Sequence, residues 1–387
     1  MKIGSVTKRG TRSFRIKIEL PRDPATGARN FHLETIKGKP GEPLTVVRAR
    51  AKQRLIEVRD NMGKGQYVEL STITVEMYVA SWLEAPAGLS PKTVERYRQL
   101  ATQQIYPHLG AVPLQKLGPA HIQDWHGVLL ARGGKGGRPL SARTVGHAHR
   151  LLHRALARAV EGQVAFRNVA GVVKPPKVEE REMAILTSAQ IGDVFAELEG
   201  DAFYSIVVVA LGTGLRRGEL LALRWSRVDL ETGSLRVEES IEETEAGLRF
   251  KPPKTKRGRR NVSLSPTVVE ALRTHRKAQL ELRLALGLGK PANDALVFCE
   301  STSGPMSPDK LSRDWSRLVV ARKLPKIPFH ALRHTHVSAL IDGGLDVVTV
   351  SQRIGHSSPA FTLKTYAHMF SRKDEVAAEA IEAALTR

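Results

Sequence analysis

The chain opens on alternation. Phe14, Ile16, Ile18 and Leu20 alternate with Arg15, Lys17 and Glu19, a period of two that predicts a half-buried strand. Asp23-Pro-Ala-Thr-Gly27 predicts a turn, and Phe31, Leu33 and Thr35, alternating with His32 and Glu34, predict a second strand. Thr45 then caps a helix with the apolar face Val47, Ala51, Leu55 and Val58. From residue 72 the period becomes helical, with Val75, Tyr78, Val79 and Trp82. Ser90-Pro91 marks an N-cap with proline at the first helical position, and that helix runs through Val94, Tyr97 and Leu100 to about Tyr106-Pro107. Further helices centre on Ile122, Trp125 and Leu129 and, from Ser141, on Val145, Ala148, Leu152, Leu156 and Ala159.

Beyond residue 183 the pattern changes again. Thr187-Ser-Ala-Gln190 is a capping box. A buried helix follows through Phe203, Ile206, Val207, Val209, Ala210 and Leu211, and Gly212 and Gly214 break it, which puts Arg216 at a turn. Val228-Asp-Leu turns at Glu231-Thr-Gly-Ser234 into the strand Leu235-Arg-Val237, and Asn261-Val-Ser-Leu264 is a further strand. After Ser371, Val376, Ala380, Ile381 and Leu385 recur at helical spacing among Glu375, Glu379 and Glu382. That helix either packs on its own domain or meets a neighbouring copy.

These periods divide the chain into a sheet-plus-helix domain over 1–65, a helical domain over 72–173, a linker rich in proline and charge over 174–182, and a mostly α domain with a small antiparallel sheet over 183–387. The fold class is multidomain and mainly α, in keeping with 387 residues, more than one core usually holds. Lys and Arg number 60 against 39 Asp and Glu, a net charge of +21, so the expected partner is a polyanion. Aromatics are 5%, too few for a protein that works by stacking single-stranded bases, which favours duplex DNA. Cys299 is the single cysteine, so no disulfide forms within the chain and a reducing cytoplasm is expected. The N-terminal residues lack a signal-peptide pattern, and the apolar run Ile206 to Leu211 is far too short to span a bilayer.

Charge placement narrows the partner. Arg15 and Lys17 lie on the open face of the first sheet, where strands can enter a DNA groove or simply be solvated. Leu89-Ser-Pro-Lys92-Thr93-Val94 and Leu140-Ser-Ala-Arg143-Thr144-Val145 open two helices alike. A cation in a first turn opposes the helix dipole, but it becomes useful when a phosphate meets the free N–H groups there. Arg143, His147, Arg150, Arg154 and Arg158 then form a stripe with no acidic residue at i+4, which favours a DNA-facing helix over a solvated one.

The candidate chemistry lies late in the chain. Arg216 precedes Glu219 by one helical turn, a spacing that serves a structural ion pair as readily as an anion site. Lys254 begins the basic run Lys254-Thr-Lys256-Arg-Gly-Arg-Arg260, a finger for a groove or a solvated loop. His330 and Arg333 are i and i+3, on one helical face. His330 and His334, at i and i+4, suggest a zinc helix, but Ala331 stands where a metalloprotease helix has glutamate and no cysteine cluster offers another site, so no metal is expected. Gly355-His356 and Thr365-Tyr366-Ala-His368 complete a mixture suited to gripping a phosphate and attacking it.

In this order the motifs resemble the phage-integrase type of tyrosine recombinase: Thr213-Gly-Leu-Arg216 with Glu219, Lys254 before a short strand, His330-x-x-Arg333, Ile354-Gly-His356 and Tyr366-Ala-His. Ala331 departs from the aspartate common there, and Ser263 from a common proline. The resemblance implies a site-specific integrase that inserts or excises a mobile element. Tyr366 would attack the phosphodiester, leaving a 3′-phosphotyrosyl link. Arg216, Arg333 and His356 would hold the phosphate, His330 would exchange the phenol proton, and Lys254 would protonate the 5′ leaving oxygen, with no cofactor. It also implies arm-type and core-type duplex sites, a homotetramer on DNA, an excisionase or DNA-bending accessory protein, and action in a bacterial cytoplasm on the nucleoid. A type IB topoisomerase-like relaxing enzyme and a catalytically silent DNA-binding regulator are the alternatives.

Overall fold

The computed structural model describes residues 4–20, 29, 31–63, 71–86, 88–179, 183–253, 256–300, 304–370 and 374–386. The turn at Asp23–Gly27, the 64–70 connection, residues 180–182 of the linker and Lys254 lie outside them. The chain splits into two compact units, Met1–Glu179 and Glu180–Arg387.

In the first unit, strands β1 (Ser5–Gly10), β2 (Ser13–Glu19) and β3 (Phe31–Lys37) form an antiparallel sheet in that order. Phe14, Ile16 and Ile18 face helix α1 (Leu44–Gly63), where Val47, Ala51 and Val58 are buried. The sequence places Leu33 on the inner face of β3, but the register inverts it. His32 pairs with Ile18 and Ile36 with Phe14, so His32 is buried and Leu33 is 49% exposed. A period-two pattern fixes the alternation but not which set faces inward when both contain apolar groups. Thr45 lies inside α1 rather than capping it. Strand β1, with an exposed and largely polar pattern, carried no such signal.

The helical part of this unit comprises α2 (Val75–Glu84), α3 (Pro91–Leu100), a π-turn at Ala101–Ile105, α4 (Tyr106–Leu109), α5 (Pro119–Arg132) and α6 (Ala142–Glu161). Ser141 caps α6 by accepting the Thr144 N–H, and every expected core residue of that helix is buried. Trp125 fills the centre and donates its indole N–H to the Gln104 carbonyl at 2.7 Å.

The second unit is built around α8 (Phe203–Thr213), whose residues Val207, Val208 and Val209 are buried on all sides, as an apolar helix without a polar face must be. The capping box opens α7 (Ser188–Glu197), and α9 (Arg217–Leu221) follows α8. Strands β4 (Val228–Asp229), β5 (Ser234–Val237) and β8 (Arg260–Ser263) form one sheet. The hairpin β6 (Ser240–Thr244)–β7 (Gly247–Lys251) forms another. Strands β7 and β8, on either side of the Lys254 position, therefore belong to two different sheets. Helices α10 (Pro266–Ala285) and α11 (Pro308–Ala321) precede α12 (Ala331–Asp342), α13 (Val347–Ile354), α14 (Pro359–Phe370) and α15 (Asp374–Leu385). Ile381 and Leu385 of α15 are 61% and 76% exposed, so these two do not pack on their own unit.

Candidate active site

Arg216 sits where α8 ends and α9 begins. Gly214 closes α8 at φ 64°, and a Cβ there would come within 2.4 Å of the His336 ring, so both backbone and neighbour require glycine. Arg216 is the N-cap of α9, which frees its backbone N–H to donate to Glu219 Oε2 at 3.0 Å. Its guanidinium donates to Glu219 Oε1 at 2.7 Å and to the Gly355 carbonyl at 2.8 Å. Glu219 also accepts from Arg260 Nη2 at 2.9 Å. Burial alone would raise the Glu219 carboxyl, but the charge and hydrogen bond of Arg260, then Arg216, reverse this and hold it below its ordinary range. The structural pair and the anion-facing arginine are thus the same residue: one edge of Arg216 is fixed, and its side chain remains 40% exposed.

Arg333, 4% exposed, is held by two carbonyls instead of a carboxylate: Nη1 donates to Gly214 and Nη2 to Ile354. Burial, then the charge of Arg216, lowers its pKa from the usual value. Gly355 ends α13 at φ 66°, and a Cβ on it would lie 2.8 Å from Arg260 Nη1. This packing brings the Gly355 carbonyl to Arg216 and sets His356 beside it. His356 shares a 2.8 Å hydrogen bond with Thr362 Oγ1 through Nδ1, and its ring meets Phe361 edge to face. Among the described residues Nε2 has no partner. Burial, then Arg333 and Arg216, pushes His356 down to about 4, so the ring is neutral at pH 7. Arg216, Lys251, Gly258, Gly355, His356 and Phe361 line a cleft of about 370 Å³.

Tyr366 lies on α14, 2% exposed, packed with Val337, Ile341, Val350 and Ile354. Its backbone leaves helical geometry, at φ −124° and ψ 18°. Burial pushes its phenol up to about 12, with Arg333 opposing. The hydroxyl is hydrogen-bonded to His334 Nδ1 at 2.6 Å. His330, the residue expected to exchange the phenol proton, is exposed at the N-cap of α12 and meets His334 edge to face at 4.9 Å. Lys254 lies outside the described residues, and neighbouring Lys251 is ion-paired with Glu242.

The structure therefore brings Arg216, Arg333 and His356 together around the ends of α8 and α13, with Tyr366 and His330 reached through His334. Three residues support this group: His334 and His336, for which the sequence suggests a supporting role without saying what they hold, and Arg260, which it places only in the basic run. Arg260 anchors Glu219 and the Arg353 carbonyl. His336 donates through Nδ1 to the Leu211 carbonyl and accepts from Arg353 Nε, which fixes its neutral tautomer. His334 holds the phenol.

The cationic residues of the first unit lie where a polyanion can reach them. Arg143, His147, Arg150 and Arg154 run exposed along α6. Arg158 pairs with Glu161, whereas Arg143, Arg150 and Arg154 form no ion pair among the described residues. The charge of Arg96 on α3 reaches His147, an addition to the stripe that its own helix did not disclose. At the start of α3, Lys92 pairs with Glu95 at 3.5 Å and Thr93 is hydrogen-bonded to Ser90. Thr144 bonds Ser141 in the same way. On the sheet, the register places Arg15 opposite Thr7 and Thr35, and Lys17 opposite Leu33, on the face away from α1. Lys17 lies 4.0 Å over the Phe31 ring.

The profile of the Phage integrase family matches residues 185–373, and that of the phage integrase N-terminal SAM-like domain matches residues 74–130. An integrase of Streptomyces ambofaciens is 31% identical over 332 residues, 82% of each chain. The ICEBs1 integrase of Bacillus subtilis is 25% identical over 380 residues, 98% of this chain and 99% of that one. Among solved structures, the Tn1549 transposon integrase in complex with transposon right end DNA superposes with a TM-score of 0.66 at 24% identity, covering 81% of this chain and 100% of that one. The lambda integrase tetramer bound to a Holliday junction gives 0.54 at 17% identity, covering 91% and 92%.

Proposed function

The chain belongs to the phage integrase family of tyrosine recombinases, and on that premise we propose which of its residues carry out the reaction. It is a site-specific DNA recombinase, cutting and rejoining strands through a tyrosine. Tyr366 Oη attacks the scissile phosphorus, forming a 3′-phosphotyrosyl link as the bond to the 5′ oxygen breaks. Arg216 and Arg333 hold the non-bridging oxygens with their remaining N–H groups, and His356 Nε2 binds a third position. Lys254 protonates the leaving oxygen, and His330 lies beside the phosphate. The second strand's 5′ hydroxyl reverses these steps, so bond energy is conserved without a nucleotide or other cofactor.

One observation carries this assignment. Two guanidiniums are fixed by carbonyls at the ends of α8 and α13, while among the described residues Glu219 is the one carboxylate bonded to the Arg216–Arg260–Arg333 group. Such a site is short of negative charge and rigid, which favours an anion that gains charge in the transition state. Domain roles follow the same division: 1–65 for arm-type DNA, 72–173 for core-type DNA, 174–182 as linker and 183–387 for chemistry. The exposed stripe of α6 and the outer face of the sheet, where Lys17 is exposed and Arg15 half-buried, support the first two. A homotetramer on paired sites, assisted by an excisionase or DNA-bending protein, is the working assembly; the exposed Ile381 and Leu385 of α15 favour contact between copies.

The test is a nicked suicide duplex carrying the element's junction sequence. The wild type should accumulate a denaturant-resistant protein–DNA adduct. Tyr366→Phe should bind the same duplex and form none; an adduct that persists in this variant removes the assignment.

A further inference from the structure

The phenol already has a proton partner in this fold, and it is not the histidine of the His-x-x-Arg motif. We propose that His334, rather than His330, takes the Tyr366 proton during cleavage and returns it during rejoining. The inference rests on Tyr366 as the nucleophile.

His334 Nδ1 lies 2.6 Å from Tyr366 Oη, within the range of a direct O–H···N hydrogen bond. The His330 ring stands at 84° to the His334 ring with centroids 4.9 Å apart, and among the described residues it makes no hydrogen bond. His334 is also carried on a fixed platform. Its neighbour Arg333 is tied to the Gly214 and Ile354 carbonyls. Thr335 Oγ1 accepts the Leu186 N–H at 3.0 Å and donates to the Ala331 carbonyl. His336 is held between the Leu211 carbonyl and Arg353. Anchors at 333, 335 and 336 leave the helix little freedom around position 334, so the imidazole is a preorganised acceptor.

The groups facing His334 favour its neutral form. Arg333 and His330 come from its own helix, the Tyr366 hydroxyl from α14, and His356 from the segment before α14; among the described residues no carboxylate joins them. Burial and then Arg333 lower its pKa, so at pH 7 the ring is uncharged and able to receive a proton. In the step itself the Tyr366 Oη–phosphorus bond forms and the phosphorus–5′ oxygen bond breaks. The phenol proton moves to Nδ1, giving an imidazolium, and the leaving oxygen takes its proton from the separate acid. Rejoining runs the same transfers backwards.

Single-turnover cleavage on two suicide duplexes tests this. One has the ordinary 5′ oxygen and the other a 5′-bridging sulfur, which departs without protonation. His334→Gln keeps a polar side chain but no basic nitrogen. It should lose about 10²–10⁴-fold in rate on both duplexes, with DNA binding unchanged. Lys254→Ala should be slow on oxygen and recover on sulfur. His334→Ala should regain part of its rate with added imidazole, which guards against a folding defect in the glutamine variant. The wild-type rate should fall on the acid side as His334 protonates, and His334→Gln should lack that limb. A His334→Gln rate within threefold of the wild type on both duplexes overturns the inference, and a faster rate recasts the bond as a restraint on the phenol. Tyr366→Phe in the same assay separates the two levels. An adduct there sinks the nucleophile assignment, whereas no adduct there together with an active His334→Gln sinks only the proton role.

Discussion

Replacing Glu219 with glutamine isolates the residue that holds the arginines. The Glu219 side chain is 3% exposed, and its carboxylate receives three hydrogen bonds, from the Arg216 backbone, Arg216 Nη1 and Arg260 Nη2, at 3.0, 2.7 and 2.9 Å. A glutamine offers one acceptor oxygen. Whichever way it turns, its NH₂ points at an arginine N–H, so at least one bond becomes a donor–donor contact. The Arg260 side chain, 6% exposed, also loses its counter-charge. Breaking a buried pair by removing one charge costs roughly 3–5 kcal/mol. For a unit of this size each kcal/mol moves the melting point by about 2–4 °C. The catalytic unit's calorimetric transition in the full chain should therefore fall by about 6–20 °C. The pH dependence has a defined sign. The folded Glu219 pKa lies below the unfolded value, so its contribution is full above the unfolded carboxylate pKa and is lost as pH falls through the folded one. Glu219→Gln should lack that acid-side loss. Cleavage should fall with stability, because Arg216 loses one of its three bonds and faces an NH₂ group in its place. A shift under 2 °C with normal cleavage would refute the account of Glu219 as the clamp of the site.

Other outcomes follow from the same geometry. Arg333→Lys cannot reach both the Gly214 and Ile354 carbonyls while offering donors to a phosphate, so cleavage should drop about 10²–10³-fold, read in single turnover on the suicide duplex, with DNA binding retained. His149, hydrogen-bonded to His126 and lowered to about 4 by burial and then by His126, is neutral when folded. Its contribution is therefore full above the unfolded pKa near 6.5 and is lost as pH falls toward about 4. Urea midpoints followed by tryptophan fluorescence should fall across that window in the wild type and less in His149→Gln. Arg150→Ala on the exposed stripe should weaken core-duplex binding and reduce the slope of log K against log salt by about 1, without altering the cleavage rate at saturating protein.

Much of the chain was legible because its apolar periods are strong. The stripe from Val145 to Ala159 is buried as the spacing predicts, and the Thr187–Gln190 box caps its helix in both directions. Where both faces of an element carry apolar groups, the period stops deciding. His32 entered the core of β3 because the register sets it opposite Ile18, and it is hydrogen-bonded to Glu34, which also takes Arg54. The hairpin β6–β7 escaped because Glu242 and Glu243 sit mid-strand, held by Lys251 across the hairpin and by Ser307 at the start of α11. The motif order located the arginines and the tyrosine, and local spacing suggested the Arg216–Glu219 pair, but not their distant partners. The Arg260–Glu219 bond spans 41 positions and the His334–Tyr366 bond 32, and the second depends on a departure from helical backbone at Tyr366 that no local residue pattern announces.

The central claim is that Tyr366 becomes covalently joined to the 3′ phosphate of the cut strand. Trapping the adduct on a suicide duplex, digesting protein and DNA, and sequencing the modified peptide by mass spectrometry tests it most directly. The account predicts a nucleotide mass on Tyr366 within the peptide Thr365-Tyr-Ala-His368, attached through a 3′ phosphate, and a free 5′ hydroxyl on the other fragment. A nucleotide on any other residue, or a link through a 5′ phosphate, would contradict it.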